Sequence, residues 1–169
     1  MTGLIRPTLA LGDQCHDVGM SAPELAAFTP HDQPGLADLV NEVHSEFGFA
    51  YQPRLDADLD NPLAHYRHVW VLKLEDAVIG SVALTAPVDG TPTLKRMYLR
   101  AKFRGQGWGR QLLTTALESA IRDRCTRIEL DTSDRQHDAC RLYESSGFRL
   151  HRQVGSTRYY GKDLVDTNA

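Results

Sequence analysis

The chain lacks any apolar run long enough to cross a bilayer. Its first twenty residues, MTGLIRPTLALGDQCHDVGM, are broken by Arg6 and Pro7, so they suit neither a membrane span nor the sustained apolar core of a secretion signal. It also lacks a paired-cysteine pattern. Cys15, Cys125 and Cys140 are odd in number and form no C-x-x-C. Without a secretion signal they read as reduced thiols of a cytoplasmic protein. The histidines, His65 and His68 among them, form no H-E-x-x-H or comparable ligand set, so no metal is expected. Charge of one sign is scarce too. A formal net charge of −3 speaks against a general nucleic-acid binder and against an acidic tail. Internal repeats, low-complexity segments and linkers are missing. What remains is 169 residues of ordinary globular composition, enough for one domain with a substantial core. The expected division is an N-terminal extension over 1–23, a domain over 24–164 and a tail over 165–169.

Local patterns supply the elements. Glu24 to Phe28 reads as a short strand. Thr29-Pro30-His31-Asp32 is a helix start, followed by the stripe Leu36, Leu39, Val40, Val43 and Phe47 and closed by Gly48. Tyr51 to Asn61 is polar, and its aspartates Asp56, Asp58 and Asp60 are expected in a solvated acidic loop or short helix. The competing reading makes them a rim that attracts a cationic amine. Val69 to Leu74 and Val78 to Leu84 are β-type runs joined by Glu75-Asp76-Ala77, which predicts a hairpin. Arg127 to Thr132 is a further strand, Gln136 to Ser145 a helix ended by Gly147, and Phe148 to Val154 with Arg158 to Leu164 a final strand pair. The order β-α-β-β-β-α-β-α-β-β describes a single mixed α/β (α+β) domain.

The most informative stretch is LKRMYLRAKFRGQGWGRQLLTTALESAI, from Leu94 to Ile121. Leu94, Arg96, Tyr98 and Arg100 are expected on one side of a strand, with Lys95, Met97 and Leu99 on the other. A glycine-rich turn follows, then a helix whose apolar face carries Leu112, Leu113, Ala116, Leu117, Ala120 and Ile121. Glycines at a helix N-terminus let unpaired backbone amides converge on an anion, and the aligned peptide dipoles favour negative charge there. Arg104 and Arg110 flank the turn. The spacing does not fit a P-loop, since no Gly-Lys-Ser/Thr follows. It does not fit a dinucleotide-binding turn either: the third glycine comes one residue early, and Lys95, Arg96 and Arg100 do not suit a strand covered on both faces.

Arg104-x-x-Gly107-x-Gly109 resembles the Arg/Gln-x-x-Gly-x-Gly/Ala signature of the GNAT superfamily of acyl-CoA-dependent N-acyltransferases, and Leu94 to Leu99 resembles the strand that precedes it. A second, separate segment carries the resemblance further. Gln136-x-x-Ala139-x-x-Leu142-Tyr143-x-x-x-Gly147-Phe148 is similar to the family's Asn-x-x-Ala-x-x-Leu-Tyr-x-x-x-Gly-Phe, with Gln136 where Asn is usual. The resemblance covers Glu24 to Leu164. It implies a central, mostly antiparallel sheet whose fourth and fifth strands splay apart around acetyl-CoA, flanked by helices.

Residue roles follow from that resemblance. Along Met97-Tyr98-Leu99, the backbone of Met97 and Leu99 would pair with the pantetheine amides in the manner of an added strand. The amides of Gly105, Gln106, Gly107, Trp108, Gly109 and Arg110 would hold the pyrophosphate, with Arg104 at the entrance, and Gln136 would contact the pantetheine arm. Tyr143 would protonate the departing sulfur as general acid, and an N–H near Leu99 would receive the oxyanion. Some family members carry a glutamate eleven positions before the motif arginine. Here Thr93 stands there; Glu129 or Asp131 on the next strand can face the cleft, and proton removal through water or capture of an already neutral amine are the other routes, so no base is assigned. The expected partners are acetyl-CoA and an unidentified amine, with no nucleic acid and no membrane; homodimers are frequent in such families. The competing function is a CoA-binding sensor or scaffold without turnover. A nucleic-acid role for Arg96, Arg100, Lys102, Arg104 and Arg110 lacks surrounding net basicity.

Overall fold

The computed structural model describes residues 21–50, 52 and 56–164; most of the expected N-terminal extension and the tail 165–169 lie outside the described residues. β1 (Glu24–Ala27) leads through a 3-10 turn into α1 (Gln33–Glu46), and a four-residue helix, α2 (Pro62–His65), precedes the strands β2 (His68–Leu74), β3 (Ala77–Leu84) and β4 (Thr93–Leu99). Then come α3 (Trp108–Arg122), β5 (Arg127–Ser133), α4 (His137–Ser145), β6 (Arg149–Val154) and β7 (Thr157–Asp163). Pro62 opens α2. The seven strands form one sheet in the order β1-β2-β3-β4-β5-β7-β6. No helix among the described residues is long and apolar enough to cross a membrane.

Local chemistry accounts for the main boundaries. The Thr29 amide and hydroxyl both donate to Asp32 Oδ2 at 2.9 Å, which closes the start of the α1 segment. The turn between β2 and β3 is the two residues Glu75-Asp76, with Glu75 at φ +56°, as tight hairpins require. One apolar core lies between the sheet and α3/α4 and includes Leu94, Leu112, Leu113, Ala116, Ile128 and Leu130. The other lies under α1 and includes Leu36, Leu39, Val40, Val43, Val71 and Val78. At Gly35 α1 sits so close to β3 that an added Cβ would lie 2.9 Å from Val78 Cγ2.

The central feature is a parting of the sheet. β4 and β5 are parallel and paired only at Thr93–Glu129 and Leu94–Leu130, whereas β5 pairs with β7 from Arg127–Asp163 to Ser133–Thr157. Beyond Leu94 the two strands diverge. A bulge bends β4 at this point: Ala83 opposes Lys95 and Ser81 opposes Tyr98, so Arg96 and Met97 share the place opposite Val82, and Arg96 adopts φ +51°. An extra residue turns the strand and resets its alternation. The expected grouping of Leu94 with Tyr98 is therefore corrected. Leu94, Met97 and Leu99 join the core beneath α3 and α4, while Tyr98 packs against the core beneath α1.

Candidate active site

The diverging ends of β4 and β5 open a cleft of about 1020 Å³. Met97, Tyr98 and Leu99 form its β4 wall, Val43, Glu46 and Phe47 its α1 wall, and Gln136, Leu142 and Tyr143 its α4 wall. Of the site residues expected from sequence, Arg104, Gly105, Gly107, Gly109 and Arg110 also line it. Gln106 and Trp108 do not: the Gln106 side chain donates to Lys102 O at 3.0 Å, and Trp108 packs against the core beneath α3 and α4.

The turn before α3 is an open cradle. Gly107 caps the helix at φ +92°, a conformation costly for a residue with a Cβ. A Cβ there would find nothing within 4 Å, so the backbone faces free space. Gln111 donates to Gly107 O at 3.1 Å, while the amides of Gly105, Gln106 and Gly107 have no backbone acceptor among the described residues. Together with the first amides of α3 they form a concave set of donors at the positive end of a helix dipole.

Strand alternation exposes a second set. The Arg100 amide donates to Ile79 O at 2.9 Å across the β3–β4 ladder. The backbone groups of Leu99 and Met97 therefore point the other way, toward the gap left by β5. The Leu99 carbonyl accepts from Arg104 Nε at 2.9 Å, which leaves the Leu99 amide facing the gap.

Arg104 lines the cleft as a clamp. Besides Leu99 O, it grips Glu46 of α1 through Nη1 at 2.7 Å and Nη2 at 3.2 Å. Its fork is occupied by protein acceptors, so the charge nearest the glycine turn that has no acidic partner among the described residues is Arg110, 3.4 Å from Ser145 Oγ. Sequence reasoning missed Arg135 and Arg141, which also line the cleft. Arg135 reaches Phe47 O at 3.4 Å and Arg141 pairs with Asp138; neither belongs to the motif segments' fixed positions.

Tyr143 is 4% exposed and lies edge-on to Phe148, with centroids 5.8 Å apart. Its hydroxyl has no hydrogen-bond partner among the described residues. The neighbouring Tyr160 hydroxyl, by contrast, is held by Glu144 at 2.7 Å. Burial pushes the Tyr143 pKa well up, so at neutral pH the hydroxyl keeps its proton and is a donor. Gln136 stands just ahead of α4, and its Oε1 accepts from Thr132 Oγ1 at 2.7 Å, which ties the start of α4 to β5.

The carboxylates fall differently from expectation. Asp56 and Asp58 are 4% and 8% exposed, so the expected solvation is corrected at these two, whereas Asp60 is exposed and Ala57–Leu59 forms the short helix, a 3-10 turn. Arg96 Nη1 pairs with Asp56 at 2.9 Å and its Nε with Asp58 at 2.8 Å, while Tyr66 donates to Asp58 at 2.6 Å. The bulge in β4 is what turns Arg96 toward them. Burial alone would raise the Asp58 pKa, but the bonds from Arg96 and Tyr66 outweigh it and hold it below the usual range. Asp131 pairs with Lys95, and Glu129 with Arg127 at 3.1 Å; neither lines the cleft.

The comparisons with known proteins agree with this architecture. An N-acetyltransferase of Escherichia coli K12, YjgM, is 27% identical over 144 residues, 79% of this chain and 86% of its own length. Human N-acetylaspartate synthetase is 36% identical over 92 residues, 54% of this chain, which spans only 30% of that protein. An acetyltransferase of the GNAT family from Staphylococcus aureus Mu50 superimposes with a TM-score of 0.79 at 19% identity, over 85% of this chain and 100% of that one. The model of the acetyltransferase (GNAT) family matches residues 36–148, and the chain belongs to that family of N-acetyltransferases, whose acyl donor is acetyl-CoA.

Proposed function

We propose that the protein transfers an acetyl group from acetyl-CoA to a primary amine of a small molecule or protein, by direct attack within a ternary complex. The observation that carries this reading is the hydroxyl of buried Tyr143, without a hydrogen-bond partner among the described residues, in the same cleft as the open glycine cradle. The residues present fit a CoA thioester: the amides from Gly105 to Arg110, without a backbone acceptor among the described residues, suit a pyrophosphate, and the edge of β4 at Met97 and Leu99 that β5 leaves uncovered suits an extended arm with amides. Acetyl-CoA supplies an activated acetyl thioester. The chain supplies position and donors.

In this reading Gln136 contacts the pantetheine arm with its amide NH2, its oxygen being held by Thr132. The Leu99 amide receives the negative charge that develops on the reacting carbonyl oxygen. Tyr143 holds a proton for the departing sulfur, and burial keeps that proton in place until a thiolate appears. Arg104 shapes the mouth by fixing α1 to the end of β4. Cys125 and Cys140 are buried and free, in keeping with a reducing, cytoplasmic setting.

The test is release of free CoA thiol from acetyl-CoA with a panel of primary amines. Amine-dependent release that Tyr143→Phe slows, without loss of acetyl-CoA affinity, supports the assignment. Saturable acetyl-CoA binding with no release for any amine makes the protein a sensor or scaffold instead.

A further inference from the structure

The reaction needs a proton acceptor for the incoming amine, and the acidic residues of the next strand do not provide one. Asp131 and Glu129 are in ion pairs away from the cleft, and Thr93 has no basic group. Within the cleft, Glu46 is gripped by Arg104 and Asp138 by Arg141. His137 lines the cleft as the first residue of α4.

A different pair sits where an amine would meet the open edge of β4. Tyr98 lines the cleft between Met97 and Leu99, the two residues whose backbone faces the gap. Its hydroxyl lies 2.9 Å from His44 Nε2. His44 belongs to α1, one residue after Val43 in the cleft wall, and its ring stands edge-on to Tyr98 at 5.4 Å and to Phe49 at 5.9 Å. The two side chains are thus held in line by α1 and β4, elements far apart in the chain. The bulge at Arg96 is what aims Tyr98 at α1, and Asp56 and Asp58 fix that bulge.

We propose that Tyr98 is the catalytic proton acceptor for the substrate amine and that His44 acts through it as the positioning residue that stores the proton. This rests on the acyl-transfer reading above. An ammonium N–H passes its proton to Tyr98 Oη as the Tyr98 hydroxyl proton passes to His44 Nε2, with the imidazole's own proton on Nδ1. The amine is left neutral with its lone pair free, His44 becomes an imidazolium, and Tyr98 ends as it began. Half-buried His44 then returns the proton to solvent. The groups facing His44 favour readiness at neutral pH: burial lowers its pKa, Asp56 raises it and Arg96 lowers it, for a net shift downward. The imidazole therefore starts the cycle neutral. Burial raises the Tyr98 pKa and outweighs the opposing charge and hydrogen bond of Arg96 beside it, so Tyr98 acts as a hydroxyl relay and not as a standing phenolate.

The experiment measures thiol release from acetyl-CoA at pH 7 with a matched pair of small amines: ethylamine, an ammonium at that pH, and 2,2,2-trifluoroethylamine, largely neutral. Tyr98→Phe and His44→Gln are each expected to slow the ethylamine reaction by about 10²-fold, with a several-fold smaller loss for trifluoroethylamine. The rise of kcat/KM with pH should move toward the amine's own titration in both variants. Acetyl-CoA affinity and the thermal melting curve, read in parallel, should stay near those of the wild type. Equal losses with the two amines, or an unchanged ethylamine rate, overturn the relay while leaving acyl transfer standing. Failure of the wild-type protein to acetylate either amine counts against the acyl-transfer reading, and the relay falls with it.

Discussion

The two faces of β4 are built by opposite means. Toward α3 and α4 the strand contributes Leu94, Met97 and Leu99 to an apolar core, and the polar groups open there among the described residues include backbone amides and the Tyr143 hydroxyl. Toward α1 it contributes Arg96 and Tyr98, which enter a buried network of Asp56, Asp58, Tyr66 and His44. One face presents fixed dipoles to a ligand; the other uses full charges to hold a shape. Full charges near the cleft are largely spent on the protein itself, as Arg104 on Glu46 shows. Recognition of an anion then falls mainly to peptide groups that need no reorganisation when it arrives.

Breaking the charged face should have the largest effect. Arg96→Met leaves two buried carboxylates without their cation, so a loss of about 3–5 kcal/mol is expected from urea unfolding. Adding Asp56→Asn and Asp58→Asn should return part of it. The pH dependence has a definite sign. Asp58 has a lowered pKa in the folded state, so its contribution is present above the unfolded carboxylate range of about 4 and is lost as pH falls through the lower folded value. Acidification below about pH 4 should therefore destabilise the wild type, and Arg96→Met should lack this part of the fall.

Breaking the dipole face should leave the fold standing and remove the ligand. Gly107→Val, at φ +92°, is expected to weaken acetyl-CoA binding by more than about 10²-fold, with a stability cost of about 1–2 kcal/mol. Calorimetric titration and a melt separate the two. Tyr143→Phe sharpens the comparison further. It removes one hydroxyl and little packing, so kcat should fall by about tenfold to 10²-fold with acetyl-CoA affinity within about twofold. The smallest effect is expected for the clamp: a double-mutant cycle on Arg104 and Glu46, whose side chains are 31% and 29% exposed, should give a coupling of about 0.5–1 kcal/mol in stability.

How legible each face was in the sequence follows from the range of its interactions. The glycine turn, the hairpin at Glu75-Asp76 and the apolar stripe of α3 are set by neighbouring residues, and their spacing was sufficient. That Tyr143 and Gln136 line the cleft was legible because a second motif segment holds them in register. The bulge was not visible: strict alternation predicted Leu94 and Tyr98 on one side, and only an inserted residue in the ladder shows otherwise. Asp56 and Asp58 read as solvated because their partner, Arg96, lies 38 residues beyond Asp58. The Glu46–Arg104 clamp spans 58 residues and the His44–Tyr98 pair 54. Such contacts are products of the packing of α1 onto β4, and no periodicity encodes them.

Calorimetric titration of the purified protein with acetyl-CoA, beside desulfo-CoA and NAD, is the most direct test of the cleft. Saturable binding of acetyl-CoA and of desulfo-CoA, with no response to NAD and loss of binding in Gly107→Val, is the predicted result. Absence of binding by any CoA species to the folded protein, or undiminished binding in Gly107→Val, would contradict the assignment of the splayed strands and the glycine turn as its site.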